Sequence, residues 1–81
     1  MSLIGATKME ILRLLGDAPS HGHQLHKDVG VSAPVVYRHL NDLEEAGMVE
    51  SSVIEDDSRN KTEYRITDDG RQLLELLSTE G

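Results

Sequence analysis

A chain of 81 residues with 37% hydrophobic and 2% aromatic side chains holds one small domain with a thin core. Scaling laws give about 4,900 Å² of folded surface against about 13,000 Å² unfolded, so about 63% is buried, too little to enclose a catalytic pocket. The absence of Cys excludes disulfides, thiol catalysis and thiolate zinc sites. The net charge of −7 argues against a polyanionic partner, but residues 1–40 carry +1 and residues 41–81 carry −8. The acidity is local, and all four histidines (His21, His23, His26, His39) lie in the first half.

Met1-Ser2-Leu3 and Glu80-Gly81 read as expression remnants. No apolar run approaches the roughly 18 residues of a membrane span, and no charged-apolar-small leader opens the chain. The expectation is a soluble cytoplasmic protein without a membrane partner. The first predicted helix covers about 6–15, with Ile11, Leu12, Leu14 and Leu15 at helical spacing. A second starts after Ser20 as N-cap and stops at Gly30, with Leu25 and Val29 inward. The third, about 33–46, has Ser32 as N-cap and Pro34 in its first turn, where no intrahelical N–H is required. Val36, Leu40 and Leu43 form its buried stripe, and Gly47 ends it. The period then changes to alternation: Val49 and Val53 in one strand, Thr62, Tyr64 and Ile66 in the next. The turn-rich run from Asp56 to Asn60 marks a hairpin tip. Thr67 caps a last helix over about 68–78, its acidic first turn complementing the helix dipole. The fold class is α+β, mostly helical, in the order helix-helix-helix-strand-strand-helix, as a single domain over 1–81.

Only Gly30-Val31-Ser32 separates the second and third helices, the spacing of a helix-turn-helix. With Val36, Leu40 and Leu43 inward, Pro34, Tyr37, Arg38 and Asn41 face outward, where polar side chains suit phosphates or purine edges. A solvated helix face carrying polar residues is the plain alternative. The hairpin over about 49–67 shifts the balance, because a tip with Arg59, Asn60 and Lys61 can lie along the neighbouring backbone or minor groove.

At this point the chain resembles a known family, the winged helix-turn-helix regulators of the PadR type, with MarR and ArsR regulators as cousins. The stretch from Gly16 to Leu25 is similar to the PadR segment in which a Pro-containing loop precedes His-Gly-aromatic-Glu-Leu. Ser32-Ala33-Pro34-Val35-Val36-Tyr37 resembles the start of its recognition helix, and Leu40 to Val49 its Leu-x-x-Leu-Glu-x-x-Gly-Leu-Val exit. Tyr64-Arg65-Ile66-Thr67-Asp68-Asp69-Gly70 resembles the close of its wing. The likeness covers about residues 9–77 and implies the winged-helix fold and DNA binding. His23 stands where an aromatic is usual and Arg38 where Pro is common. The long C-terminal dimerisation helices of that family are not expected within these 81 residues.

These readings lead to a sequence-specific transcriptional regulator that binds double-stranded DNA. The DNA-binding residues expected on the third helix are Ser32, Pro34, Tyr37, Arg38 and Asn41, with Arg59, Asn60 and Lys61 on the wing and His21 and His23 at the start of the second helix. A winged-helix module that binds protein is the alternative, since fold alone does not fix function. No nucleophile-base pair or phosphate loop suggests an enzyme, and no cofactor or effector motif stands out. The H-x-H-x-x-H run of His21, His23 and His26 lacks a carboxylate or thiol partner at fixed spacing, so no metal is assigned. Three Lys against fifteen Asp+Glu suit either a solvated face that orients docking or a salt-rich cytoplasm such as a halophile's. Helix 1 and the last helix each spread Leu or Ile over an arc of about 160°, where one core needs about 100°. The surplus points to a homodimer through Leu12, Leu14, Leu74 and Leu76.

Overall fold

The computed structural model describes residues 5–56 and 59–78, and side chains throughout these except at 55–60 and 78. The elements are α1 (Ala6–Asp17), β1 (Ser20–His21), α2 (Gly22–Val29), α3 (Ala33–Glu45), β2 (Val49–Asp56), β3 (Arg59–Ile66) and α4 (Asp68–Ser78). The order matches the sequence reading with one addition, the two-residue strand β1. It completes an antiparallel sheet in the order β1-β3-β2, pairing Ser20 with Tyr64 and His21 with Glu63. Ser20 is therefore a sheet residue, not the N-cap of α2. His21 takes that position, and its Nδ1 accepts the Gln24 backbone N–H at 3.3 Å. Helix α1 also runs two residues past Leu15, to Asp17.

Ile11, Leu12 and Leu15 of α1, Leu25 of α2, Val36, Leu40 and Leu43 of α3, and Val49 and Ile66 of the sheet form the core. The stripe predicted for α3 is the buried one. Leu12 is completely buried there, which corrects its assignment to a dimer surface: the 100° helical step turns it inward beside Ile11. Outside the core, the Lys8 ammonium meets the Asp42 carboxylate at 3.2 Å, tying α1 to α3.

The turns fix how the wing leaves the body. Gly30 stops α2 at φ +83°. At the end of α3 the Met48 N–H reaches the Leu43 carbonyl at 2.9 Å and the Gly47 N–H reaches the Glu44 carbonyl at 3.0 Å. This double closure of the last carbonyls requires the left-handed φ of +80° at Gly47. Thr67 caps α4 as expected, accepting the Gly70 N–H at 3.1 Å, and donates its own hydroxyl to the Gly47 carbonyl at 2.6 Å. Strands β2 and β3 then pair from Val49↔Ile66 out to Asp56↔Arg59. Val49 and Ile66 are buried, whereas Val53, on the same face as Val49, is 68% exposed. The hairpin belongs to the core only at its base and projects beyond it.

Candidate nucleic-acid interface

Helices α2 and α3 meet across Gly30-Val31-Ser32, and the His26 ring Nδ1 lies 2.8 Å from the Val31 carbonyl. That carbonyl can only accept, so Nδ1 carries the proton and the ring staples the turn. Ser32 begins α3 through its backbone alone, its carbonyl accepting from Val36 N–H at 3.1 Å, with no cap bond from its hydroxyl. The Ser32 side chain is exposed, as are Pro34, Tyr37, Arg38 and Asn41. The predicted outward face of α3 is thus a solvent-facing surface, because burying Val36, Leu40 and Leu43 turns those positions out.

Tyr37 is 46% exposed, and its ring lies directly over Gly22. A Cβ on Gly22 would collide with Tyr37 Cε1, Cζ and Oη. Gly22 therefore lets the first turn of α2 seat the tyrosine of α3. Periodicity gives no sign of this role; the adjacent His-Gly motif is its only trace in the sequence. His21 is half-buried and His23 exposed. Their rings stack at 6.5 Å and 11°, and His23 meets His26 at 5.7 Å and 55°. Among the described residues no group of three His, Cys, Asp or Glu is placed to hold a metal ion.

On the wing Lys61 is exposed and pairs in register with Ile54, which is 39% exposed. Arg59 and Asn60 begin β3 opposite Asp56 and Glu55, but their side chains lie outside the described residues. Between α3 and the wing, the Ser51 hydroxyl donates to Glu44 Oε2 at 2.6 Å. Tyr64, half-buried beside them, has its phenol pKa pushed up by burial first, then by the Glu44 charge and by Tyr37. Glu44 and Ser51 carry no recognisable functional signal in the sequence; only folding the hairpin back on α3 brings them together.

Residues 11–76 match the transcriptional regulator PadR-like family. The chain belongs to that family. A helix-turn-helix-type transcriptional regulator of Methanocaldococcus jannaschii is 38% identical over 64 residues, covering 79% of this chain and 67% of that one. A PadR family regulator from Clostridium difficile superposes with a TM-score of 0.87 at 19% identity, covering 94% of this chain and 86% of that one. Bacillus subtilis PadR, solved with operator DNA, gives a TM-score of 0.87 at 20% identity over 95% of this chain. The chain spans about half of that protein's length, 49%.

Within this PadR-like domain the residues proposed for a dimer are dispersed. Leu12 is buried, and Leu14 and Leu74 are half-buried against the core. A Cβ at Gly16 would lie 2.8 Å from Leu74 Cδ2, so Leu74 packs on the end of α1. Leu76 is 65% exposed on the outer side of α4. Of the four, Leu76 alone is turned outward. Among the described residues no helix of the PadR-like domain is long and apolar enough to cross a membrane.

Proposed function

We propose that this PadR-like regulator binds double-stranded DNA sequence-specifically, with α3 in the major groove and the β2–β3 hairpin along the adjacent backbone or minor groove. The observation that carries the reading is the outward set Tyr37, Arg38 and Asn41 on α3, fixed by the burial of Val36, Leu40 and Leu43 behind it. Arg38 and Asn41 supply donors and acceptors for base edges, Tyr37 and Ser32 reach phosphates, and Lys61, Arg59 and Asn60 follow the backbone. The complex of Bacillus subtilis PadR with operator DNA supports this use of the shared fold. A gel shift against genomic fragments across a salt series tests it. Retarded bands that weaken as salt rises are expected. Binding to no fragment would transfer the lead to a protein-docking role, which the exposed Val53 of the wing favours.

DNA affinity should rise as pH falls from about 8 to about 6. The imidazole side chain titrates near about 6.5, and a neighbouring phosphate favours its charged form. Binding then takes up protons, so lower pH favours the complex. We assign this uptake to His23, the exposed histidine at the start of α2, rather than to the half-buried His21. His23 lies between the His21 and His26 rings, and Glu63 stands across the strand pair from His21. Isotherms at fixed ionic strength should show the pH response in the wild type and lose it in His23→Gln. A flat wild-type response would remove the idea.

The domain acts in the cytoplasm as a two-fold dimer whose contact includes Leu76, and its acidic second half keeps it soluble in concentrated salt. Sedimentation at micromolar concentration in molar salt should give a dimer, and Leu76→Asp a monomer. A monomeric wild type would rule out the dimer.

A further inference from the structure

We infer that Glu44 is a positioning residue: through Ser51 it sets the angle between the recognition helix and the wing, and so the specificity of DNA binding. The inference rests on the DNA-binding reading above.

Glu44 stands in the last turn of α3, which carries Glu44 and Glu45 and no basic residue. The macrodipole is negative at that end, so carboxylates there do not help the helix. The bond from Ser51 Oγ to Glu44 Oε2 is short, 2.6 Å, but exposed, and an exposed bond competes with water and adds little to folding. Neither helix stability nor fold stability accounts for the pair.

Leverage does. Ser51, the third of the eight residues of β2, lies about 7 Å from the base of the strand. From Val49 to Asp56 the lever is about 24 Å, so slack of about 1 Å at Ser51 becomes about 3.5 Å at the tip. The Met48–Leu43 and Thr67–Gly47 bonds hold the base of the hairpin, but they act at the pivot and resist rotation poorly. The Glu44–Ser51 bond lies off the pivot and joins α3 to β2 at Ser51, the residue that pairs with Tyr64 of β3. Arg38 and Asn41 sit on the same helix one to two turns earlier. A loose wing lets either element engage DNA alone; a fixed wing makes both engage in one register.

The probes are a duplex selected by the wild type from a randomised pool and a scrambled duplex of equal length. Ser51→Ala and Glu44→Ala should each lower the ratio of the two affinities about two- to threefold, with the melting temperature nearly unchanged. The double variant should lose no more than either single one, as expected for two halves of one contact. Ser51→Thr keeps the hydroxyl, and Glu44→Gln keeps the acceptor oxygen while removing the charge; both should hold the wild-type ratio. A Ser51→Ala ratio unchanged from wild type, or Glu44→Gln falling as far as Glu44→Ala, would overturn the inference. If the wild type selects no duplex, the DNA-binding reading fails and this inference with it. If the wild type binds and Arg38→Ala weakens it while Ser51→Ala does not, only the positioning role fails.

Discussion

Gly70→Ala will destabilise the domain by about 2–3 kcal/mol, the usual cost of forcing a methyl group into a packed site. The first turn of α4 presses on the turn that leads into the wing. A Cβ at Gly70 would run into the Met48 carbonyl oxygen and lie 2.7 Å from Ile66 Cγ1. The obstacle is mainly backbone, and that backbone is held: the Thr67 N–H donates to the same Met48 carbonyl at 3.0 Å, and Ile66 belongs to the core. No side-chain rotation relieves the clash. In a domain of this size the loss lowers Tm by about 10–20 °C. Gly30→Ala separates space from conformation: nothing lies within 4 Å of a Cβ there, but φ is +83°. Only the left-handed backbone is penalised, at about 1–2 kcal/mol. Thermal unfolding of the two variants gives the order directly. Equal losses would mean that α4 shifts to accept the methyl group.

Arg38→Ala will cost about 1–3 kcal/mol on the preferred duplex and relax the preference at particular base pairs. Lys61→Ala will instead weaken all duplexes alike and make the salt dependence shallower by about one unit of slope. The difference comes from position. Arg38 projects from the early turns of α3, where the proposed docking puts base edges, whereas Lys61 lies on the projecting hairpin opposite Ile54. Arg59→Ala is expected to behave as Lys61→Ala does. Neither Arg38 nor Lys61 belongs to the core, so both variants should melt with the wild type. Isotherms on matched and mismatched duplexes at several salt concentrations read both effects. If Arg38→Ala and Lys61→Ala both leave binding intact, this face is not the DNA surface.

Short-range chemistry explains why so much of the architecture was legible. Pro34 tolerated only in a first turn, glycines at the two helix stops, Thr67 three residues before Gly70 and the change from helical to alternating period all act within a few residues. The three-residue gap between α2 and α3 follows from them, and so does the outward face of α3. β1 escaped because two residues carry no period. Ser20 satisfies the statistics of an N-cap, but the pairing with Tyr64 claims it for the sheet. His21, the next residue, then supplies an acceptor from its ring.

The sequence by itself determined the order of helices and strands, the core stripe of α3 and the outward placement of Tyr37, Arg38 and Asn41, because helical and strand periods alone decide which side chains share a face. Tertiary structure decided what those faces meet. It buried Leu12 while leaving Leu76 exposed on α4, although both lie on leucine-rich helices. It seated Tyr37 over Gly22, pressed Gly70 onto Met48 and joined Glu44 to Ser51. Each of these contacts depends on the angle at which two elements cross, and no local period encodes a crossing angle; packing the shared core around Ile11, Leu40 and Ile66 sets it.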